Sequence, residues 1–180
     1  MTTVFIGGSR AVSRLNPTIR DRLDDLMRKG CRIVIGDANG ADKAVQQYLA
    51  AQGYRNVTIY CMEKPRNNIG NWKVRSIQGH SSRRGFAYYA TKDIAMANEA
   101  DCGVMLWDGR SKGTLHNILN LVRAGKKVLV YFSPERKFYK ISGADDLETL
   151  LARCDRRNIE RIQRDLAALA APLQEQLPFR

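Results

Sequence analysis

Two carboxylates and two glycines share one short stretch of this chain, Gly36-Asp37-Ala38-Asn39-Gly40-Ala41-Asp42. Asp37 and Asp42 could grip sugar hydroxyls or move a proton, and they are the candidate catalytic residues. The glycines let the backbone turn sharply and let a ligand approach freed N–H groups at the positive end of a helix. Two further turns carry related chemistry. Gly7-Gly8-Ser9-Arg10 sets a guanidinium beside a glycine turn, and Asp108-Gly109-Arg110-Ser111-Lys112-Gly113-Thr114 combines glycines with a helix-capping serine. Such turns hold phosphate through backbone N–H groups without a Walker sequence. A fourth segment, from Glu63 to about Gly85, carries Lys64, Arg66, Lys73, Arg75, Arg83 and Arg84 against the single acid Glu63, together with Asn67, Asn68, Asn71 and Trp72. It shows neither a helical nor a strand period and reads as a long loop. Over an anionic ligand it would be a basic flap, with Trp72 as a stacking face.

The elements that must position these turns follow from hydrophobic period. Val4-Phe5-Ile6, Cys31 to Ile35, Val57 to Cys61, Cys102 to Trp107 and Lys126 to Phe132 are short apolar runs of the kind that form inner strands. Between them lie amphipathic stretches. Asn16 caps the first helix with Pro17 at its first position, Ile19, Leu23, Leu26 and Met27 form its stripe, and Gly30 closes it. Asn39 is placed to cap the second, with Asp42 where a capping box puts its acid, and with Ala41, Ala44, Val45, Tyr48 and Leu49 as the stripe. Gly53 ends that helix. A third helix over about Phe86 to Asn98 presents Ala87, Ala90, Ile94 and Ala97. Ser111 caps a fourth, striped by Leu115, Ile118, Leu119 and Val122 and stopped by Gly125.

Inner-type strands alternating with helices predict an α/β fold, a Rossmann-like doubly wound parallel sheet of strand order 3-2-1-4-5. Ligands bind such sheets at the carboxyl ends of the strands, beside the point where strand order reverses. The three glycine turns converge there. Residues 1–135 form the binding domain in this reading. Residues 136–180 are a C-terminal appendage, a short strand from about Phe138 and then helices, packed on the domain or on a partner subunit. Its last helix lines Ile159, Ile162, Leu166, Leu169 and Leu173 on one face and Arg157, Arg161 and Arg164 on the other.

Composition narrows the function classes. With 44% hydrophobic and 27% charged residues in 180, the chain is an ordinary globular domain with a full core. No apolar run approaches the roughly 20 residues that cross a bilayer, so no membrane role is expected and the cytoplasm is the expected compartment. Cys31, Cys61, Cys102 and Cys154 stand far apart without a CxxC pair, and only His80 and His116 could join them, so no metal site is expected. No GxGxxG follows the first strand and no GxxxxGK[ST] occurs, which argues against a standard dinucleotide site and against P-loop hydrolysis. No cofactor is implied. The net charge of +12 attracts phosphate-bearing partners, from nucleotides to nucleic acid.

Taken in order, Gly7-Gly8-Ser9-Arg10, the Gly36 to Asp42 stretch, Arg66-Asn67-Asn68 with Trp72, Lys92-Asp93, and Trp107 to Thr114 resemble the YspA-like branch of the SLOG superfamily, which groups Smf/DprA with the Lonely Guy phosphoribohydrolases. The resemblance covers roughly residues 3 to 132. It implies a Rossmann-like domain that binds nucleotide-derived ligands through the glycine-rich loops after the first and fourth strands, and a homo-oligomer. In Lonely Guy enzymes the second loop reads PGGxGTxxE. Here Gly113-Thr114 keep the glycine and threonine, while Asn117 stands at the glutamate and the Pro-Gly-Gly is replaced. Glycosidic cleavage passes through a cation-like sugar that a carboxylate stabilises, and Asn117 cannot supply that charge. Lonely Guy activity is therefore disfavoured.

Three functions remain in view. One is the binding, as sensor or carrier, of a nucleotide-derived small molecule related to ADP-ribose or to a cyclic nucleotide. Arg10 and the turns Gly7, Gly8, Ser9, Gly36, Asn39, Gly40, Gly109, Ser111, Gly113 and Thr114 would surround it, Asp37 or Asp42 would hold the ribose, and Arg66, Asn68 and Trp72 would close over it. The second is hydrolysis of an N-glycosidic or phosphoester bond, with Asp37, Asp42 or Asp108 in place of the absent glutamate. The third is DNA binding in the manner of Smf/DprA, through the basic surface.

Overall fold

The computed structural model describes residues 1–79 and 84–170. His80, Arg83 and Leu173, named above, lie outside these residues, as does the side chain of Leu169. In chain order the elements are β1 (Thr3–Gly8), α1 (Pro17–Arg28), β2 (Arg32–Ile35), α2 (Ala41–Ala51), β3 (Val57–Met62), β4 (Lys73–Ile77), α3 (Phe86–Glu99), β5 (Cys102–Trp107), α4 (Lys112–Arg123), β6 (Val128–Phe132), β7 (Lys137–Ile141), α5 (Ala144–Leu151) and α6 (Arg156–Ala170). They build one seven-stranded sheet of order β4-β3-β2-β1-β5-β6-β7. The first five pairings are parallel and β7 returns antiparallel to β6. The five inner strands lie in the expected 3-2-1-4-5 order, so the fold is Rossmann-like α/β with helices beyond the last parallel strand.

Period-2 geometry splits each inner strand between two cores. Val4 and Ile6 of β1, with Val104 and Leu106 of β5, face α1 and α2, where Ile19, Leu23, Val45 and Leu49 are buried. Phe5, Met105 and Trp107 face the other way, against Met96 of α3 and Leu115, Ile118 and Leu121 of α4. Ile159 and Ile162 of α6 share this second core, so α6 packs on its own chain. Arg157, Arg161 and Arg164 stay exposed.

The helix stops follow the sequence signals. Asn16 Oδ1 accepts the Ile19 N–H at 3.0 Å, and Ser111 Oγ accepts that of Thr114 at 3.3 Å. Gly30, Gly53 and Gly125 follow α1, α2 and α4 in the left-handed conformation that glycine adopts without strain.

Three expectations fail. The segment from Glu63 to Gly85 is not a structureless loop, because Lys73–Ile77 add β4 in parallel register to β3. The strand carried no apolar signal because it lies at the sheet edge, with Lys73 to Ser76 exposed. Charge on an edge strand discourages pairing with another chain. The face of α3 holds only in part, since Ala90 and Ala97 are buried as expected but Ala87 is exposed. Ile94 is 43% exposed, whereas Tyr88, Lys92 and Met96 are buried. The polar Lys92 hid the true stripe. Finally, Asn39 does not cap α2. Gly40 takes the N-cap place, with no side-chain cap bond, and Asn39 Oδ1 instead accepts the Asn67 amide at 3.1 Å.

Candidate functional site

A cleft of about 640 Å³ opens at the carboxyl ends of β1 and β5, where the strand order reverses. Phe5, Gly7 and Gly8 of β1 form its floor. Ser9 and Arg10 stand at one rim, and Asp108, Arg110, Ser111, Gly113, Thr114 and Asn117 line the α4 side. Ala38 and Asp42 enter from the α2 side, Arg66 from the loop after β3, and Phe86, Tyr89, Ala90, Lys92, Asp93 and Met96 from α3. Of the residues singled out in the sequence, Gly36, Asp37, Asn39, Gly40, Asn68, Trp72 and Gly109 do not line it.

The two helix N-termini at the cleft differ. At α2 the loop after β1 fills the end, because the Ser9 carbonyl accepts the Ala41 N–H at 3.1 Å. Gly40 permits this crossing. Its φ is +80°, and a Cβ there would lie 2.3 Å from the Arg10 Cα. The Ala41 N–H, expected to be free at α2, is therefore engaged by protein, while those of Asp42 and Lys43 find no acceptor among the described residues. At α4, Ser111 Oγ serves only the Thr114 N–H and the Thr114 hydroxyl. The first N–H groups of a helix have no intrahelical acceptor. Those of Lys112 and Gly113 are left as donors at the positive helix end, and a Cβ on Gly113 would meet open space.

The carboxylates also part company. Asp37 is almost fully buried and clasped by Arg66. Its Oδ2 accepts from the Arg66 backbone N–H at 2.9 Å and from Nε at 3.2 Å, and its Oδ1 accepts from Nη2 at 2.8 Å. Burial pushes the Asp37 carboxyl up, but the hydrogen bonds and charge of Arg66, with Lys92 farther off, outweigh it and hold the group below its ordinary range. Asp37 thus positions Arg66, whose guanidinium also lies 4.8 Å from the centroid of the Tyr89 ring. Asp108 is likewise spent within its own turn, its Oδ1 accepting the Arg110 and Ser111 N–H groups at 3.0 and 2.8 Å.

Asp42 is different. Its Oδ2 accepts the Ala38 N–H at 3.1 Å, and no other hydrogen bond reaches its carboxyl among the described residues. Burial pushes the group up to about 7, against the pull of Lys92, while Asp93 and Asp37 add to the rise. Lys92 itself is buried and pairs with Asp93 at 2.6 Å. Burial alone would lower its ammonium, and Asp93 and Asp42 more than restore it. Both Asp42 and Lys92 close over Gly36, where a Cβ would lie 2.6 Å from Asp42 Oδ2 and 3.0 Å from Lys92 Nζ. A side chain at this position would drive the acid and the ammonium apart.

Trp72 is not a stacking face. It is 7% exposed, belongs to the core under α1 and α2, and donates Nε1–H to the Tyr54 carbonyl at 2.8 Å. Asn68 clasps the same turn, accepting the Trp72 N–H and donating to its carbonyl, both at 2.9 Å. Planar surfaces at the cleft are Tyr89, with Arg66 over it, and Phe86, with the Lys112 ammonium 4.6 Å from its ring centroid.

Sequence reasoning did not place Lys92, Asp93, Tyr89 or Asn117 in the cleft as contact residues. Their signal was polarity on a buried face, Lys92 inside the α3 stripe and Asn117 beside Ile118 on α4. Among the described residues no cluster of histidine, cysteine or acidic side chains is arranged to hold a metal, and no helix is long and apolar enough to cross a membrane. The four cysteines are free thiols. Compared with protein-family models, curated proteins and solved structures, the chain matches none.

Proposed function

We propose that the chain binds a nucleotide-derived small molecule in this cleft, with the phosphate at the N-terminus of α4. The observation that carries the reading is the N-terminus of α4 at the strand-order reversal, in a cleft that Arg10, Arg66 and Arg110 also line. Two backbone donors, a helix dipole and nearby guanidinium cations together make a phosphate site. The Tyr89 ring, with Arg66 over it, offers a stacking surface for a base. The resemblance to the YspA-like branch of the SLOG superfamily points to the same ligand class. Thermal unfolding in the presence of AMP, ADP, cyclic AMP and ADP-ribose tests it, because a ligand that binds only the native state raises the unfolding temperature with concentration.

A second reading, cleavage of an N-glycosidic or phosphoester bond, rests on Asp42. A cleft-lining carboxyl that titrates at about 7 can give or take a proton at neutral pH. Chromatography of the same mixtures separates the readings. Released base or phosphate means turnover, and stabilisation with intact nucleotide means binding alone.

A further inference from the structure

Three helices enclose a second cavity, of about 520 Å³, behind the wall of the cleft. Phe86 and Ala90 of α3 line both spaces, so α3 is the partition between them. The lining is mostly apolar. Ala87, Ala90 and Ile94 follow one another along one face of α3, Leu119 comes from α4, and Leu166 comes from α6. Ile94 is 43% exposed, the one exposed large hydrophobic side chain on a helix among the described residues. An open apolar space of this size with a few polar groups has the form of a small-molecule site.

Its polar side chains are His116, Gln163 and Arg123. The Phe86 ring packs edge-on against His116, with centroids 5.4 Å apart. Burial, aided by the charge of Arg123, holds the His116 pKa below its ordinary range against the pull of Asp93. The imidazole is therefore neutral at pH 7, and the Phe86 end of the cavity carries no charge. Arg123 lies seven residues, about 10 Å, farther along the same face of α4. It is exposed and has no carboxylate partner among the described residues. Both α3 and α4 run opposite to the parallel strands they connect, so Ile94, seven residues beyond Ala87, stands at the Arg123 end.

We propose that this cavity binds an apolar carboxylate, a chain or ring about 10 Å long, whose acid pairs with Arg123 and whose body lies along Ala90 and Leu119 toward Phe86. The proposal is independent of the phosphate placement at α4, and either can fail alone. The apolar floor disfavours an inorganic anion, whose oxygens would be left unpaired against it. The lone guanidinium, in a chain of net charge +12, favours an acid over a neutral or cationic ligand.

Calorimetry with octanoate, octan-1-ol and butyrate tests this on the wild-type chain, on Arg123→Gln and on Ile94→Asp. The wild type should bind one octanoate, and should bind octanol and butyrate about tenfold or more weakly. Arg123→Gln should lower octanoate to the affinity of octanol. Ile94→Asp should abolish octanoate binding, because its carboxylate neutralises Arg123 and repels the ligand acid. Both side chains are exposed, so both variants should fold, and Arg123→Gln carries the test alone should the aspartate fold poorly. Octanoate and octanol of equal affinity on the wild type overturn the proposal, as does octanoate binding that survives both substitutions. A wild type that binds no octanoate overturns it as well. A wild-type dimer in sedimentation that Ile94→Asp splits gives the cavity to a second copy of the chain, and the proposal falls.

Discussion

Asp37 holds Arg66 by three hydrogen bonds, two from the guanidinium and one from the backbone N–H, so that a buried acid fixes a half-exposed cation at the rim of the cleft. Removing the acid should free the loop after β3. Asp37→Ala is expected to cost about 1–3 kcal/mol, the range for stranding polar partners at a partly solvated site, and to weaken AMP binding through loss of Arg66 placement. Denaturant unfolding and calorimetry measure the two effects.

The same pair sets a pH dependence. The Asp37 carboxyl in the folded chain lies below its ordinary 3.8. Its contribution to stability is present above that value and is lost as pH falls through the folded pKa. The unfolding temperature of the wild type should therefore drop more steeply below about pH 4 than that of Asp37→Asn. Equal slopes would show that the pair is not formed.

Asp42 runs in the opposite direction. Its folded pKa, about 7, lies above the ordinary 3.8. The folded state thus holds the proton more tightly, and stability is fully present below the ordinary value and lost as pH rises through about 7. Each pKa unit is worth about 1.4 kcal/mol. Asp42→Asn, which can still accept the Ala38 N–H, should remove most of the difference in unfolding temperature between pH 5 and pH 8. A wild type with no such difference would place the carboxyl in a more solvated setting.

Trp72 separates packing from binding. Trp72→Ala should cost about 3–5 kcal/mol as a core truncation. Trp72→Phe loses the bond to the Tyr54 carbonyl and part of the indole's packed volume, about 1–3 kcal/mol together, and should keep its full response to AMP. A phenylalanine variant that folds but no longer binds would restore the flap reading.

The sheet and its helices were legible because inner strands of a parallel sheet are short apolar runs, and because Asn16, Pro17, Gly30, Gly53, Ser111 and Gly125 punctuate the helices by local chemistry. What stayed hidden depended on tertiary context. The exposed, charged β4 has no apolar period to detect. The N-terminus of α2 looked open, since only folding brings the Ser9 carbonyl onto the Ala41 N–H. Asp37 looked free until Arg66, 29 residues on, closed over it. Trp72 and Lys92 misled in complementary ways, as an aromatic in a polar segment that turned inward and a charge on a helix that faced the cleft.

The central claim, phosphate at the N-terminus of α4, is tested most directly by Gly113→Asp. A Cβ at Gly113 meets open space, and an acid in the first turn of a helix is favourable, so the variant should fold with an unfolding temperature at or above that of the wild type. Its carboxylate would occupy the anion site. The measurement is the rise in unfolding temperature with added AMP and ADP-ribose. The result expected is a concentration-dependent rise for the wild type and none for Gly113→Asp. An equal rise in both would contradict the placement of the phosphate, and no rise in the wild type would contradict the function.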